Sequence, residues 1–219
     1  VCLGLVLYPG MPDLLPMHAD FLGNVNRYVP KTPGSAIGFP VAFEAFLAVC
    51  FAFSHWMILR SKRPVDPGAP ATSVLAYGLF ARAQSVLLLA TGVLISAGSG
   101  LLFLLSSAGL IGLGQAGLGI IILCAPFAMG GVVLSVVYGQ MGSRVFRRMQ
   151  GGGELLSDDD EHWWLGMFYV NRGDASIFLP KRFGFGWTLN FARPAAWALV
   201  VGIPALTVGF VLLVSILTG

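Results

Sequence analysis

Four long stretches of the chain are apolar almost without interruption. Residues 37–59 break only at Glu44, Ser54 and His55, and residues 83–106 carry no charge. Residues 117–138 and 195–217 complete the set. A helix rises about 1.5 Å per residue, so about 20 apolar residues cross the roughly 30 Å hydrocarbon core of a bilayer. Each stretch therefore predicts a membrane-spanning helix. Residues 1–8 are also apolar but too few to cross, and they read as the tail of a fifth span that begins upstream. The expected fold class is an all-α polytopic membrane protein of about five transmembrane helices, the first truncated.

Composition agrees with the pattern. Hydrophobic residues make up 56% of the 219 and charged residues 11%, whereas a soluble domain of this size carries about a quarter charged. Charge placement then suggests an orientation. Eleven of the 13 Lys and Arg residues fall in residues 60–82 and 139–194, against only Arg27 and Lys31 in residues 9–36 and none in residues 107–116. Cytoplasmic loops hold the Lys/Arg excess. Residues 9–36 are accordingly expected outside and residues 139–194 in the cytoplasm of a bacterial inner membrane. Arg82 is either a buried intramembrane charge, costly and functional, or, as favoured here, a snorkelling residue at the start of its span after an interfacial stretch over residues 74–81.

Small residues four apart suggest helix contacts. Gly92, Ser96 and Gly100 line one face of the third span, and Gly131 and Ser135 lead to Gly139 in the fourth. Such faces permit close backbone approach in lipid. Packing of one small face on the other is the expectation. Cys2, Cys50 and Cys124 lie in apolar segments without metal-ligand spacing and read as packed hydrophobes.

The polar gap after residue 8 holds the most specific pattern. It runs Tyr8-Pro-Gly-Met-Pro-Asp-Leu-Leu-Pro-Met-His18, then Gly23, Asn26-Arg-Tyr28 and Lys31. The Pro-x-His step at Pro16 and His18, with Gly23, Tyr28 and Lys31, resembles the domain shared by the SdpI-like bacterial membrane proteins. These are the immunity and signal-transduction family for a sporulation-delaying toxin, and the resemblance covers roughly residues 1–60. A second stretch, Asp158-Asp-Asp-Glu-His-Trp163 through Gly166, Tyr169, Asn171, Lys181-Arg182 and Gly186-Trp-Thr-Leu-Asn190, looks like a cytoplasmic module of uncharacterised bacterial membrane proteins that often accompanies the first domain. The chain thus divides into residues 1–60, a two-helix membrane hairpin at 61–140, a cytoplasmic module at 141–194 and a final span at 195–219. The resemblance implies a binding, sensing or immunity-type role toward an extracytoplasmic ligand, with a secreted peptide as one candidate.

Candidate site residues follow from chemistry and depth. Pro9, Pro12, Pro16, Pro30 and Pro33 restrict the outer segment and favour an ordered loop. His18 is either a ligand or proton-sensing group, or a hydrogen-bonding residue that pins the loop. Glu44 lies seven residues into its span, roughly 10 Å deep by helical rise, where an ionisable group needs a partner or a wet cavity. His18, Arg27 and Lys31 are the outer groups within reach, so Glu44 forms either a structural ion pair or the floor of a pocket. The ligand-binding set is therefore His18, Glu44, Arg27, Lys31, Pro16 and Gly23.

In the second half, Ser157 and the carboxylates of residues 158–161 read as a capped helix start, with a patch for a divalent cation or a basic partner as the alternative. Residues 167–170 and 176–179 read as a hairpin about Asn171-Arg-Gly-Asp174. Lys181-Arg-Phe-Gly-Phe-Gly-Trp187 mixes bases and aromatics as single-strand binders do, but without a sheet to carry it. Trp163, Trp164, Lys181, Arg182, Trp187 and Trp197 instead fit a belt at the membrane interface. Expected partners are the lipid bilayer and packing neighbours, with no nucleic acid. No nucleophile–base pair, phosphate loop or metal motif marks an enzyme, and no cofactor is implied. An accessory subunit of a larger membrane complex, and a transporter or membrane-embedded enzyme, are the rival classes.

Overall fold

The computed structural model describes residues 1–20, 22–151, 160–181 and 186–218. The chain is mostly helical, and among the described residues four helices are long and apolar enough to cross a membrane. Helix α1 (Cys2–Leu7) runs into a 3₁₀ turn, followed by strands β1 (Leu14–Ala19) and β2 (Val25–Pro30). A π-helical turn at Gly34–Gly38 leads into α2 (Phe39–Arg60). Then come α3 (Pro70–Ser107), α4 (Leu113–Tyr138) and the short α5 (Ser143–Gln150). Two small hairpins follow, β3 (Trp163–Trp164) with β4 (Phe168–Tyr169) and β5 (Phe178–Pro180) with β6 (Trp187–Leu189). Helix α6 (Pro194–Thr218) closes the described chain.

Local chemistry explains the boundaries. Pro70 and Pro194 open α3 and α6 at the position where a missing N–H costs nothing. Ser73 adds a first-turn anchor, donating to the Pro70 carbonyl and accepting from the Asp66 amide. Between α4 and α5 the backbone turns through Gly139 (φ +70°), Met141 (φ +54°) and Gly142 (φ +82°). Gly142 lies against the Ala76 carbonyl, where any side chain would collide.

The chain folds as two compact units. The first comprises Val1–Ala52, Ala90–Ala128 and Leu206–Gly219, and the second Phe53–Leu89 and Met129–Ala205. In the first, Met11, Leu15, Val29, Ala36 and Leu104 form the buried core. Phe46 stacks on Phe210 at 4.3 Å and Phe39 meets Phe103 edge-on at 5.1 Å. In the second, Ile58, Tyr77 and Ala81 form the core, surrounded by Met57, Phe80, Leu88, Met141 and Trp187.

Three expectations change. Residues 74–81 do not lie apart from the third span: α3 is one continuous helix of 38 residues, well beyond the about 20 a bilayer core needs. The glycine faces do not meet small-to-small either. A Cβ on Gly92 would sit 2.6 Å from Cβ of Phe51 in α2, and one on Gly100 would strike the Glu44 carboxylate, also in α2. Helix α4 meets α3 through large side chains set into other glycines: Leu123 on Gly98, Leu102 on Gly119 and Leu87 on Gly130. Gly131 faces open space. Knob-into-gap packing gives each contact more dispersion area than two bare backbones do. Finally, residues 168–169 pair with Trp163 and Trp164, not with residues 176–179. The Asn171–Asp174 stretch joins two hairpins because its end residues Asn171 and Asp174 are bonded inward, while Arg172 and Gly173 are exposed.

Candidate functional site: a cleft beneath the first hairpin

Strands β1 and β2 pair antiparallel, with Pro16 opposite Tyr28 and His18 opposite Arg27. Proline donates no ladder hydrogen bond, and the register shifts between Pro16 and His18 and again before Ala19. That irregularity frees the His18 end of β1 from flat pairing. The turn beyond is built by Asp20. Its Oδ1 accepts from the amides of Leu22 and Asn24, and its Oδ2 accepts from the Asn24 side chain at 3.1 Å. The Asn24 amide, followed by the Asn24 side chain and the other turn amides, holds the Asp20 carboxyl below its ordinary range even against desolvation. Gly23 completes the turn at φ +87°, a backbone that suits glycine. Its Cα lies 2.7 Å from where a Cβ on Gly114 would be, so hairpin turn and α4 approach through two glycines.

Beneath this turn lies an open cleft of about 630 Å³, within the range of small-molecule sites. His18 and Asp20 bring polar groups to its lining from the hairpin, beside the apolar Met17 and Leu22, and Ser99 adds a hydroxyl from α3. The rest of the helix side is apolar, with Phe103 from α3 and Leu118, Ile120 and Ile121 from α4. His18 Nδ1 lies 2.6 Å from Asn26 Oδ1. With that carbonyl oxygen accepting, the ring proton sits on Nδ1 and the Nε2 lone pair is left for another donor.

The six predicted ligand-binding residues separate into three groups. His18 and Gly23 line the cleft. Pro16 and Lys31 shape the hairpin: Lys31 Nζ donates to the Met11 carbonyl at 2.7 Å and lies 5.3 Å from the centre of the Tyr8 ring. Arg27 is exposed, and Glu44 sits in the α2–α3 contact at Gly100. Neither Arg27 nor Glu44 lines the cleft, and among the described residues Glu44 makes no ion pair with His18, Arg27 or Lys31. Asn26 stood in the loop pattern without being named as a site residue, and Ser99 and Gly114 were not singled out from the sequence. The one readable signal was Asp20 ahead of Gly23-Asn24, an Asx-turn composition.

The second unit holds a different polar cluster, closed on itself. Asn190 is fully buried. Its Nδ2 donates to the carbonyls of Asn171 and Asp174, and its Oδ1 accepts from the amides of Asn171 and Ala192. Lys62 Nζ reaches Asp174 Oδ2 at 2.6 Å, and the Tyr169 hydroxyl donates to the same oxygen at 2.9 Å. Arg193 Nε donates to the Asp174 carbonyl at 2.7 Å. Burial opposes ionisation of Asp174, yet the Lys62 ammonium and the Ser176 amide outweigh it and hold the carboxyl down to about 2. Burial works against the Lys62 charge as well, and Asp174 overcomes it, leaving the ammonium pKa raised. All hydrogen-bonding positions of the Asn190 amide are filled from within the chain, so this cluster acts as scaffold.

The expected interfacial belt also divides. Trp163 packs on Tyr169 at 5.1 Å, and Trp187 stacks on Phe80 and donates to the Tyr77 hydroxyl. Trp164 and Trp197 are exposed, and Lys181 is half-buried, its amide bonded to the Gly186 carbonyl. Arg182 lies outside the described residues, as do Ser157 and the first two of the 158–161 carboxylates. From that stretch a single 3₁₀ turn at Asp160–His162 is described. His55 bonds the Ser85 carbonyl and His162 lies by Glu161.

Two families match the chain. Residues 1–43 match a domain of unknown function, DUF1648, which covers α1, the hairpin and the first residues of α2. Residues 172–197 match a family of unknown function, DUF5808, which covers Asp174, Asn190 and Arg193 of the closed cluster. Neither description assigns an activity. No curated protein and no solved structure matches the chain.

Proposed function

We propose that the chain is a bacterial inner-membrane binding or sensing protein that receives an amphiphilic ligand in the cleft beneath the β1–β2 hairpin. The observation that carries this reading is that the cleft is lined by His18 and Asp20 on its hairpin side and mostly by apolar residues of α3 and α4 on its helix side. With the Lys/Arg excess on the cytoplasmic side, the hairpin faces outward, where a secreted peptide or lipid-like molecule arrives. Lipid tails are as apolar as the helix side of the cleft, so apolar contact alone selects nothing inside a bilayer. Discrimination falls to the polar groups of the hairpin side. His18 Nε2 accepts a donor from the ligand, and the ionised Asp20 favours a cationic or hydrogen-bond-donating head group.

The test is capture in native membranes. A photoreactive p-benzoylphenylalanine in place of Ile121 is irradiated in whole cells, and the adduct is read by mass spectrometry. A discrete peptide or amphiphile is expected, its yield falling severalfold when His18 is changed to Ala. Adducts confined to bulk phospholipid, unaltered by that change, overturn the reading. Fixed-stoichiometry adducts with another membrane subunit support the accessory-subunit class instead.

A further inference from the structure

The β3–β4 hairpin carries a feature that neither the cleft nor the closed cluster uses. Side chains on a strand alternate between faces. Trp163 and Tyr169, paired across the strands, face inward, and Tyr169 is fully buried. Trp164 and Phe168, the adjacent pair, face outward, with Trp164 75% exposed. Three residues join the strands, and the tight turn is centred on Leu165 at φ +51° and Gly166 at φ +64°, closed by the Met167 amide donating to the Trp164 carbonyl at 3.2 Å. Positive φ at both central positions is the type I′ turn, which takes Asn, Asp or Gly for steric reasons. Leucine is poorly suited to its first position, and here its side chain is 75% exposed. Foldability alone favours a polar residue at this tip. A strained, outward-pointing leucine beside an outward tryptophan indicates an apolar environment for the tip.

The neighbouring elements identify that environment. Phe168 meets Phe191 at 5.7 Å, Phe191 meets Trp197 at 5.7 Å, and Trp197 Nε1 donates to the Phe191 carbonyl. The outward face of the hairpin is thus continuous with the exposed apolar face of the first turns of α6, where Trp197 and Val201 lie open. None of the apolar window of α6 is buried within the chain. We propose that the Trp164–Leu165 tip is a shallow wedge inserted into the bilayer interface beside the start of α6. It would anchor the hairpin module on the membrane surface, as amphipathic elements do when they bury an apolar face about 5–10 Å into the head-group boundary. This rests on the reading that α6 spans the membrane.

The test uses the full chain with Cys2, Cys50 and Cys124 replaced by Ala, reconstituted in phosphatidylcholine–phosphatidylglycerol vesicles. Single cysteines at Leu165→Cys, Val208→Cys and Ala175→Cys carry a bimane fluorophore. Brominated acyl chains probe lipid contact, and iodide on both sides of the membrane probes water contact. Bimane at 165 is expected to follow bimane at 208, quenched by brominated lipid and shielded severalfold from iodide relative to 175. Quenching at 165 by iodide alone overturns the wedge, as does shielding from both quenchers, which indicates a protein partner over the tip. Failure of brominated lipid to quench position 208 overturns the membrane reading of α6 itself, a separate result. Where Leu165→Cys does not purify, Trp164→Cys serves as reporter. Leu165→Asn, suited to the left-handed backbone, is expected to fold with unchanged or raised thermal resistance. A marked loss shows that the leucine packs within the protein, and the wedge is wrong.

Discussion

The β1–β2 hairpin and the β3–β6 module both place polar side chains on small antiparallel ribbons, but they spend those side chains in opposite ways. In the module, Lys62, Asp174 and Asn190 bond to residues distant in sequence, and every arm of the Asn190 amide is filled. At the cleft end of the hairpin the bonds are local: His18 to Asn26, and Asp20 to Leu22 and Asn24. Distant bonds tie loops together and exclude ligands. Local bonds hold a turn's shape while leaving the outer edge of each group open to a cleft. The difference separates a cluster closed on itself from polar groups open to a cleft, without any appeal to activity.

Asn190 is where this comparison breaks most visibly. Asn190→Ala strands two carbonyls and two amides in a fully buried position. Each buried group left unpaired costs about 1–3 kcal/mol, and some recover partners by relaxation, so a loss of about 3–4 kcal/mol is expected. Limited proteolysis at fixed temperature measures it, since unfolding in detergent is seldom reversible. Protease resistance over residues 160–190 should collapse while the β1–β2 hairpin remains protected. Unaltered resistance would remove the scaffold role.

Helix contacts give the next largest effect. A methyl group on Gly92 meets Cβ and Cγ of Phe51 at 2.6 Å, atoms that cannot move without α2. Gly92→Ala should therefore cost about 1–3 kcal/mol through overpacking. Gly131→Ala, facing open space, should leave thermal resistance unchanged. Equal effects at the two sites would mean that α2 and α3 do not meet as described.

The ion pair sharpens the comparison through pH. The folded-state carboxyl of Asp174 is depressed from 3.8 to about 2. Its contribution is present above pH about 4 and is lost as pH falls toward 2. The folded-state pKa of Lys62 is raised above 10.5, so its contribution holds below that value and is lost as pH rises beyond it. The carboxylate side chain is 13% exposed and the ammonium side chain 36%, so solvent screening trims the effect to about 1–2 kcal/mol. A stability profile over residues 160–190 should fall between pH 4 and 2, and Asp174→Asn should flatten that limb. An unchanged limb in the variant assigns the acid loss elsewhere.

The helices were legible because hydrophobic length is a property of the chain alone. Residues 37–59, 117–138 and 195–217 anticipate α2, α4 and α6 to within a few residues, since nothing tertiary decides where an apolar run ends. The first hairpin was not legible as strands. Pro16 and Pro30 argue against a ladder, and only the buried packing of Leu15 and Val29 overrides them. The turn at residues 171–174 was visible, but its role was misjudged, because Asn190 and Lys62 that draw it inward lie far away in sequence. At the cleft, the Pro-x-His step drew attention to His18, which lies on its lining, while depth alone could not tell that the Glu44 carboxylate rests on Gly100 of a neighbouring helix. A position along a helix axis carries no information about which neighbour the side chain meets.

The smallest expected effect on stability comes from the residue the proposed function needs most. His18 lies at an exposed strand end, with Asn26 as its hydrogen-bond partner. Exposed substitutions of this kind cost within about 0.5 kcal/mol. His18→Ala should match the wild-type protein in purification yield and thermal resistance while losing the captured ligand. Asn26→Ala offers a finer variant: it keeps the imidazole but removes the acceptor that orders it, so capture should weaken less than in His18→Ala. The order is informative. If both variants destabilise the hairpin alike, His18 is a pin of the loop, and the contrast between open and closed polar groups fails at its most important residue.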